Sequence, residues 1–594
     1  MKQILKSFIA ITLIICMIFP LNACVKNDSN ETPSSTREYT NSDTINVSLK
    51  NSTEFDKFLT DIFVNELNSC STLDIHYFLS DPAVYGINTE NTKFSLIDFD
   101  NLFSTQESKE LLNNLNQYNY DALTKEQQIN YDILKYRAEL DIENASLALY
   151  ENIFNPTTGL QAQMPILLAE YDFRNEADIT QYIELLKKLP EYYNNLISFE
   201  QLKANSGLGM SDECIEGIKS QCTDFSSKKE DNYLIEIFNS KIDAFTGLSE
   251  DKAKVYKAQN KAAVLEYVIP AYIMLFNELD ALKGKCNYNY LGETKEGRAY
   301  FEYLLKSNVG TVKTTTQLES LINSYQTKCL LGLSTALNND PNLLDTLENP
   351  TFPSNDPKEI LSYLEENMLK DFPEIPKTSY SINYVHESLE DHLSPAFYLT
   401  PPIDDMSKHS IYINNAAANS FTGLFPTLAH EGFPGHLYQN LYYNSTSPNA
   451  FRSLMSFTGY SEGWATYVEL MSYYYCGFDT NTANALFYYN LYNLLIYASL
   501  DIGINYYGWS DELIASKTGI TDTNVINELR IMISCDPANY LNYVIGCLEI
   551  LELKENYKTL YESDYSDKAF HTFILNMGEA PFTIIEKWML KKDK

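Results

Sequence analysis

Thr427-Leu-Ala-His430-Glu431-Gly432-Phe-Pro434-Gly435-His436-Leu-Tyr-Gln439 is the stretch on which the reading of this chain turns. A hydrolytic zinc centre needs neutral imidazoles and a carboxylate around an open position, plus a base that takes a proton from water. Histidines four apart on a helix diverge by only about 40°, the usual helical solution. Here the separation is six, which on an unbroken helix means about 120°. Gly432, Pro434 and Gly435 lie between the two histidines. Proline removes a ladder hydrogen bond and glycine permits unusual dihedrals, so the spacing predicts a helix that loops outward and returns His436 beside His430. Glu431 then stands beside the ion as general base without binding it. Only seven histidines occur in the chain, so two of them around this insertion carry weight.

Downstream, Ser461-Glu462-Gly463-Trp464-Ala465-Thr466-Tyr467 opens another helical pattern. By spacing alone Glu462 is either the third ligand or a carboxylate capping a helix start. Between 379 and 386 the chain reads as a short strand, and His409-Ser-Ile411-Tyr412-Ile413-Asn414 alternates like another. Helical periodicity covers 421–440, 461–475, 482–507 and 536–557.

Toward the N-terminus, Phe55, Phe58, Leu59, Ile62, Phe63 and Leu67 recur at three- and four-residue steps and share one helix face. A second helix starts near Ile179 with Asp178 as N-cap, and Pro190 interrupts it or starts the next one. The same periodicity runs through 232–246, 252–283, 298–307 and 317–338, with breaks at 340–356 and 372–377. The expected fold is mainly α, a helical shell with a small sheet next to the metal-binding helix. Residues 51–376 form a helical N-terminal region and 377–594 the catalytic region, with no flexible linker between them.

The first 23 residues read as an address. Lys2 and Lys6 precede an uncharged apolar run from Phe8 to Phe19, too short to span a bilayer and flanked like a signal peptide. Leu21-Asn22-Ala23-Cys24 resembles a bacterial lipobox, which makes Cys24 the lipidated mature N-terminus. Polar residues 24–50 form a tether, and no later stretch reads as a membrane helix. The expected location is the extracytoplasmic face of the cell membrane. Lys plus Arg number 44 against 79 Asp plus Glu, a formal charge of −35 that repels polyphosphate and argues against a nucleic-acid partner. The 45 tyrosines and 44% apolar content speak for a folded chain. Eight cysteines remain beyond Cys16 and Cys24, without CxxC spacing. Cys214 and Cys222 are close enough in sequence to pair, and most of the others read as isolated buried thiols.

HEGFPGH with Gln439 behind it, and EGWATY downstream, resemble the bacterial family known as domain of unknown function 885, grouped with gluzincin-type metallopeptidases. The likeness extends through Leu123–Leu134, Leu189-Pro190-Glu-Tyr192, Gly297–Tyr303, Ala396-Phe-Tyr398, Ile411–Asn414, Asp536–Gly546 and Phe570–Pro581. Many members carry a further histidine directly after the motif, where this chain has Leu437, so His436 is the candidate second ligand. The resemblance implies Zn2+ on His430, His436 and Glu462, and a zincin-like sheet. It also implies that the Ile411, Tyr412, Ile413 and Asn414 strand is an edge on which an extended peptide lies. Tyr543, at a family-typical distance before Gly546, would steady the oxyanion or else be a core tyrosine. Arg530 would anchor a substrate carboxylate or pair with a structural acid, and His386 and His571 are pocket candidates without a role.

These readings converge on a zinc-dependent peptidase acting on peptide or amide substrates. Two alternatives stay open: a metal-dependent amidase of N-acyl amino acids, and a non-catalytic surface protein that binds peptide or metal. A binding protein has no need of a base such as Glu431 beside the metal, which favours the enzyme.

Overall fold

The computed structural model describes residues 50–591 other than 388–389, 391–393 and 419–422. The signal segment 1–23, Cys24 and the tether up to residue 49 lie outside the described residues. Helix α1 (Ser52–Ser69) begins at a capping box between Asn51 and Glu54 and buries Phe55, Leu59, Phe63 and Leu67, the stripe expected from periodicity.

Helix α2 (Glu176–Asn205) departs from the sequence reading at two points. Its cap is Asn175, and Asp178 occupies the third helical position, where it accepts the Asn175 N–H at 3.1 Å. Pro190 lies inside the helix without ending it. The apolar face runs through the proline, with Leu185, Leu186 and Leu189 before it and Tyr193, Leu196 and Ile197 after it in one core. That burial outweighs one lost hydrogen bond.

Two large hydrophobic cores and a smaller one around Leu500, Ile526 and Ile533 organise the described residues. One of the large cores joins α1, α3 (Thr315–Asn339) and much of the chain beyond residue 396. The other gathers helices between Leu160 and Asp280, including α2. Packing therefore does not divide at residue 376, since the first core takes side chains from both sides of it. Against the expectation that no later stretch reads as a membrane helix, the helical run Glu250–Asp280 is long and apolar enough to cross a membrane by length and composition. It contributes Ala263, Val264, Val268, Tyr272, Leu275 and Leu279 to the second core.

A three-stranded sheet lies where the cores meet, built from β1 (Tyr380–Tyr384), β2 (Ala396–Leu399) and β3 (His409–Ile413). The central strand is β3, parallel to β1 and antiparallel to β2. Ala396, Tyr398, Ile411 and Ile413 join the first core, whereas Phe397 and Tyr412 pack against each other in the second. Because both its faces are covered, β2 reads as a continuous apolar run rather than an alternation, and periodicity alone misses it.

A disulfide joins Cys214 to Cys535, 321 residues apart, and Cys222 remains a free buried thiol. The pairing that spacing left open for Cys214 thus goes to a tertiary neighbour rather than to Cys222, two helical turns away. Beyond the sheet follow α4 (Leu424–Glu431), α5 (His436–Ser445), α6 (Thr458–Met471), α7 (Thr480–Asp501) and α8 (Asn539–Tyr561).

Candidate metal centre

The helix carrying His430 does not bulge; it ends. Helix α4 stops at Glu431, residues 432–435 leave helical geometry, and α5 starts at His436. Glycine is required where the chain turns back on itself. A Cβ on Gly435 would lie 1.7 Å from the His430 carbonyl oxygen and 2.4 Å from that of Ala429. On Gly432 it would lie 2.3 Å from Leu361 Cδ2. The Tyr438 N–H donates to the Gly432 carbonyl at 3.1 Å, and Trp464 Nε1–H donates to that of Pro434 at 2.9 Å. The two imidazoles end 4.9 Å apart between ring centroids.

Glu462 is the fifth residue of α6, inside the helix, so it is not an N-cap. Its depth follows from a close helix crossing. A Cβ on Gly463 would lie 2.3 Å from the Gly546 carbonyl carbon, and one on Gly546 would lie 2.0 Å from the Gly459 carbonyl oxygen. Backbone contact between α6 and α8 leaves Glu462 facing α4 and α5. Its Oε2 is 3.4 Å from His430 Nε2 and 3.5 Å from His436 Nε2, and one donor atom from each of the three residues falls within 4.8 Å of the others. His430, His436 and Glu462 are 4%, 8% and 1% exposed. Both Nε2 atoms are buried without a hydrogen-bond partner, a costly arrangement unless something shared satisfies them. Two imidazoles and one carboxylate form a donor set that suits zinc.

Negative charge is concentrated at this point. Burial opposes charge on His430, yet Glu462, Glu469 and Glu431 outweigh it and raise the imidazole well above its ordinary range. Burial also works against the Glu462 carboxylate, but His436 and His430 hold it down to about 2. Glu431 is pushed above the usual carboxylate range, chiefly by burial. Glu469 was not foreseen. Its Oε2 lies 3.0 Å from His430 Nδ1, so it fixes the ring with Nε2 toward the ligand cluster. Its signal in the sequence is a second carboxylate two helical turns after Glu462, on the same face of α6.

The family of bacterial proteins of unknown function designated DUF885 matches residues 103–589. The chain is a member of the DUF885 family. Among solved structures it is similar to a candidate lipoprotein from Colwellia psychrerythraea, with a TM-score of 0.77 and 17% identity over 91% of this chain and 100% of that one. It is also similar to a candidate lipoprotein of unknown function from Shewanella oneidensis, with a TM-score of 0.63 and 18% identity over 90% and 100%. At such identities the likeness concerns the fold. No curated protein sequence matches the chain.

In this DUF885 protein Glu431 is buried beside His430 and His436, and its Oε2 accepts the Tyr398 N–H at 3.0 Å. That bond identifies which strand edge meets the site. The Asn414 N–H donates to the Pro395 carbonyl at 2.9 Å, so antiparallel pairing directs Phe397 and Leu399 toward β3 and Ala396 and Tyr398 outward. The expectation of an edge at Ile411, Tyr412, Ile413 and Asn414 is therefore corrected. Strand β3 is paired on both sides, and the free edge beside Glu431 belongs to β2. The Tyr412 hydroxyl donates to Glu170 at 2.6 Å, and Asn414 Nδ2 donates to the Glu390 carbonyl at 2.7 Å.

Arg530 is corrected as well. On a surface helix it pairs with Asp511, with Nε 3.0 Å from Oδ1, which makes it the partner of a structural acid. Tyr543 is half-buried on α8, its ring centroid 6.4 Å from that of His430. His571 is fully buried, stacked on Phe372 and bonded to the Tyr467 hydroxyl and the Asp371 carbonyl, a structural role. His386 is half-exposed near Glu236.

Proposed function

We propose that this DUF885 chain is a zinc-dependent hydrolase, a peptidase that cleaves amide bonds of extended peptides. The observation that carries the reading is the convergence of His430, His436 and Glu462 within 4.8 Å, beside the buried carboxylate of Glu431, which accepts the Tyr398 N–H. His430, His436 and Glu462 would hold the ion. When bound, zinc lowers the pKa of water toward about 7 and polarises the scissile carbonyl.

Glu431 accepts the proton of the attacking water and returns it to the leaving nitrogen. The Tyr398 N–H engages one Glu431 oxygen and orients the other toward the reacting centre. An extended substrate lies along the outer edge of β2, where the Ala396 carbonyl already accepts from Ser394 Oγ at 2.8 Å and keeps a second lone pair. From the His430 side, the Tyr543 phenol donates to the developing oxyanion. Anchorage through Cys24 on the outer face of the membrane belongs to the same proposal. It is supported by the two candidate lipoproteins of similar fold and by a disulfide, a bond typical of oxidising compartments.

The test is Glu431→Gln in the purified full-length protein. Zinc content by atomic emission stays at the wild-type level, while hydrolysis of a mixed peptide library, followed by mass spectrometry, falls by about a thousandfold or more. Equal turnover in both proteins removes Glu431 from the chemistry.

A further inference from the structure

Two anchor points bracket Tyr543 along α8. Downstream, Gly546 presses against the backbone of Gly459 and Gly463. Upstream, α8 starts after Ala538, a non-glycine residue at φ 65°, and no side chain of its own caps it. An alanine stays in the left-handed region only where its surroundings impose it. The imposing group is Asp501, the last residue of α7. Asp501 Oδ1 accepts the Ala538 N–H at 2.9 Å and Asn505 Nδ2 at 2.9 Å, and the same amide nitrogen reaches the Ile533 carbonyl at 3.1 Å.

Asp501 is fully buried. A carboxylate there is expensive, and an apolar junction between two helices would be easier to build. Two further attachments converge on the same short connector. Thr158 Oγ1 donates to Asp536 Oδ2 at 2.8 Å, and Cys535 is tied to Cys214. Five residues beyond the Asp501 bond to Ala538, on the first turns of the helix it caps, stands Tyr543.

We propose that Asp501 is a positioning residue for Tyr543, capping α8 from a neighbouring helix and thereby setting where the phenol stands over His430. The inference rests on the reading of Tyr543 as the oxyanion donor. The experiment uses zinc-loaded full-length protein carrying 3-fluorotyrosine at position 543, alongside kinetics on the best-cleaved peptide of the mixed library. Asp501→Leu, which keeps shape but removes the acceptor, shifts or broadens the fluorine resonance. It also lowers kcat by about tenfold to a hundredfold while KM and zinc content hold. Asp501→Asn retains an acceptor oxygen and restores both readouts.

The double variant Asp501→Leu/Tyr543→Phe is no slower than Tyr543→Phe alone. If Asp501→Leu fails to fold, Asn505→Leu, which removes one of the donors that orient Asp501, produces a smaller change in the same direction. An unmoved fluorine line, or kinetic losses that simply add in the double variant, overturns the assignment. Should no library peptide be cleaved by the wild-type protein, the hydrolase reading falls and the fluorine line alone decides Asp501.

Discussion

On the ligand side of the site, His430, His436 and Glu462 are buried and held by backbone so tightly packed that Gly435 and Gly463 leave no space for a methyl group. On the other side Tyr543 is half-buried, on a helix whose start is fixed by Asp501, Thr158 and a disulfide from distant parts of the chain. The ligand side is rigid through local steric exclusion, whereas the tyrosine side is rigid only as far as several long-range bonds hold. Under the proposed hydrolase reading, that contrast suits two tasks. Ligands must converge on one point before any ion binds, while an oxyanion donor must meet a group that develops during the reaction.

The comparison can be broken most severely at Gly435. Gly435→Ala places a Cβ against the His430 carbonyl, so zinc stoichiometry collapses and the melting temperature drops. A variant with full zinc and an unchanged Tm would mean that the turn is not sterically locked. Next in size is Tyr543→Phe, expected to lower kcat by about a hundredfold to a thousandfold with zinc retained. Steady-state kinetics with parallel metal analysis reads this directly, and joint loss of metal and rate would make the two sides one unit.

Glu469→Gln sharpens the ligand side. Without its carboxylate on His430 Nδ1, zinc affinity weakens by about tenfold to a hundredfold in competition with a chelator, while Tyr543 chemistry in saturating zinc is preserved.

The smallest effect is one of pH on the tyrosine side. Burial pushes Asp501 up to about 7 and Asp536 up to about 6, against an ordinary value near 4 in the unfolded chain. The folded state binds these protons more tightly, so their contribution is complete below about pH 4 and is lost as pH rises through 6 to 7. Buried His76, held down to about 2, and His571, held down to about 3, act in the opposite sense until about pH 6.5. The zinc-free protein should therefore lose thermal stability between about pH 6.5 and 7, in step with growing self-repulsion of an already acidic chain. A Tm that rises across this window would contradict the assignment.

Much of the ligand side was legible because its chemistry is written into adjacent residues. The GFPG insertion announced a departure from the helix, and its extent, a break rather than a bulge, follows from carbonyl contacts that no spacing rule reveals. Glu462 was found by residue type and remained ambiguous with a cap until α6 was seen to begin at Thr458. Strand β2 stayed hidden because burial on both faces erases alternation, and with it went the true edge beside Glu431. Glu469, seven residues after Glu462, carried a signal that was available but unused.

By itself the sequence determined a mainly helical chain, the DUF885 likeness and the candidate set of His430, His436, Glu462 and Glu431, because helix periodicity and side-chain chemistry are properties of near neighbours. Only the tertiary structure decided which strand edge meets Glu431, that Cys214 pairs with Cys535, that Arg530 serves Asp511, and that Asp501 governs the start of α8. Each of those depends on packing between segments far apart in the chain, where many partners are chemically equivalent and only close contact selects one.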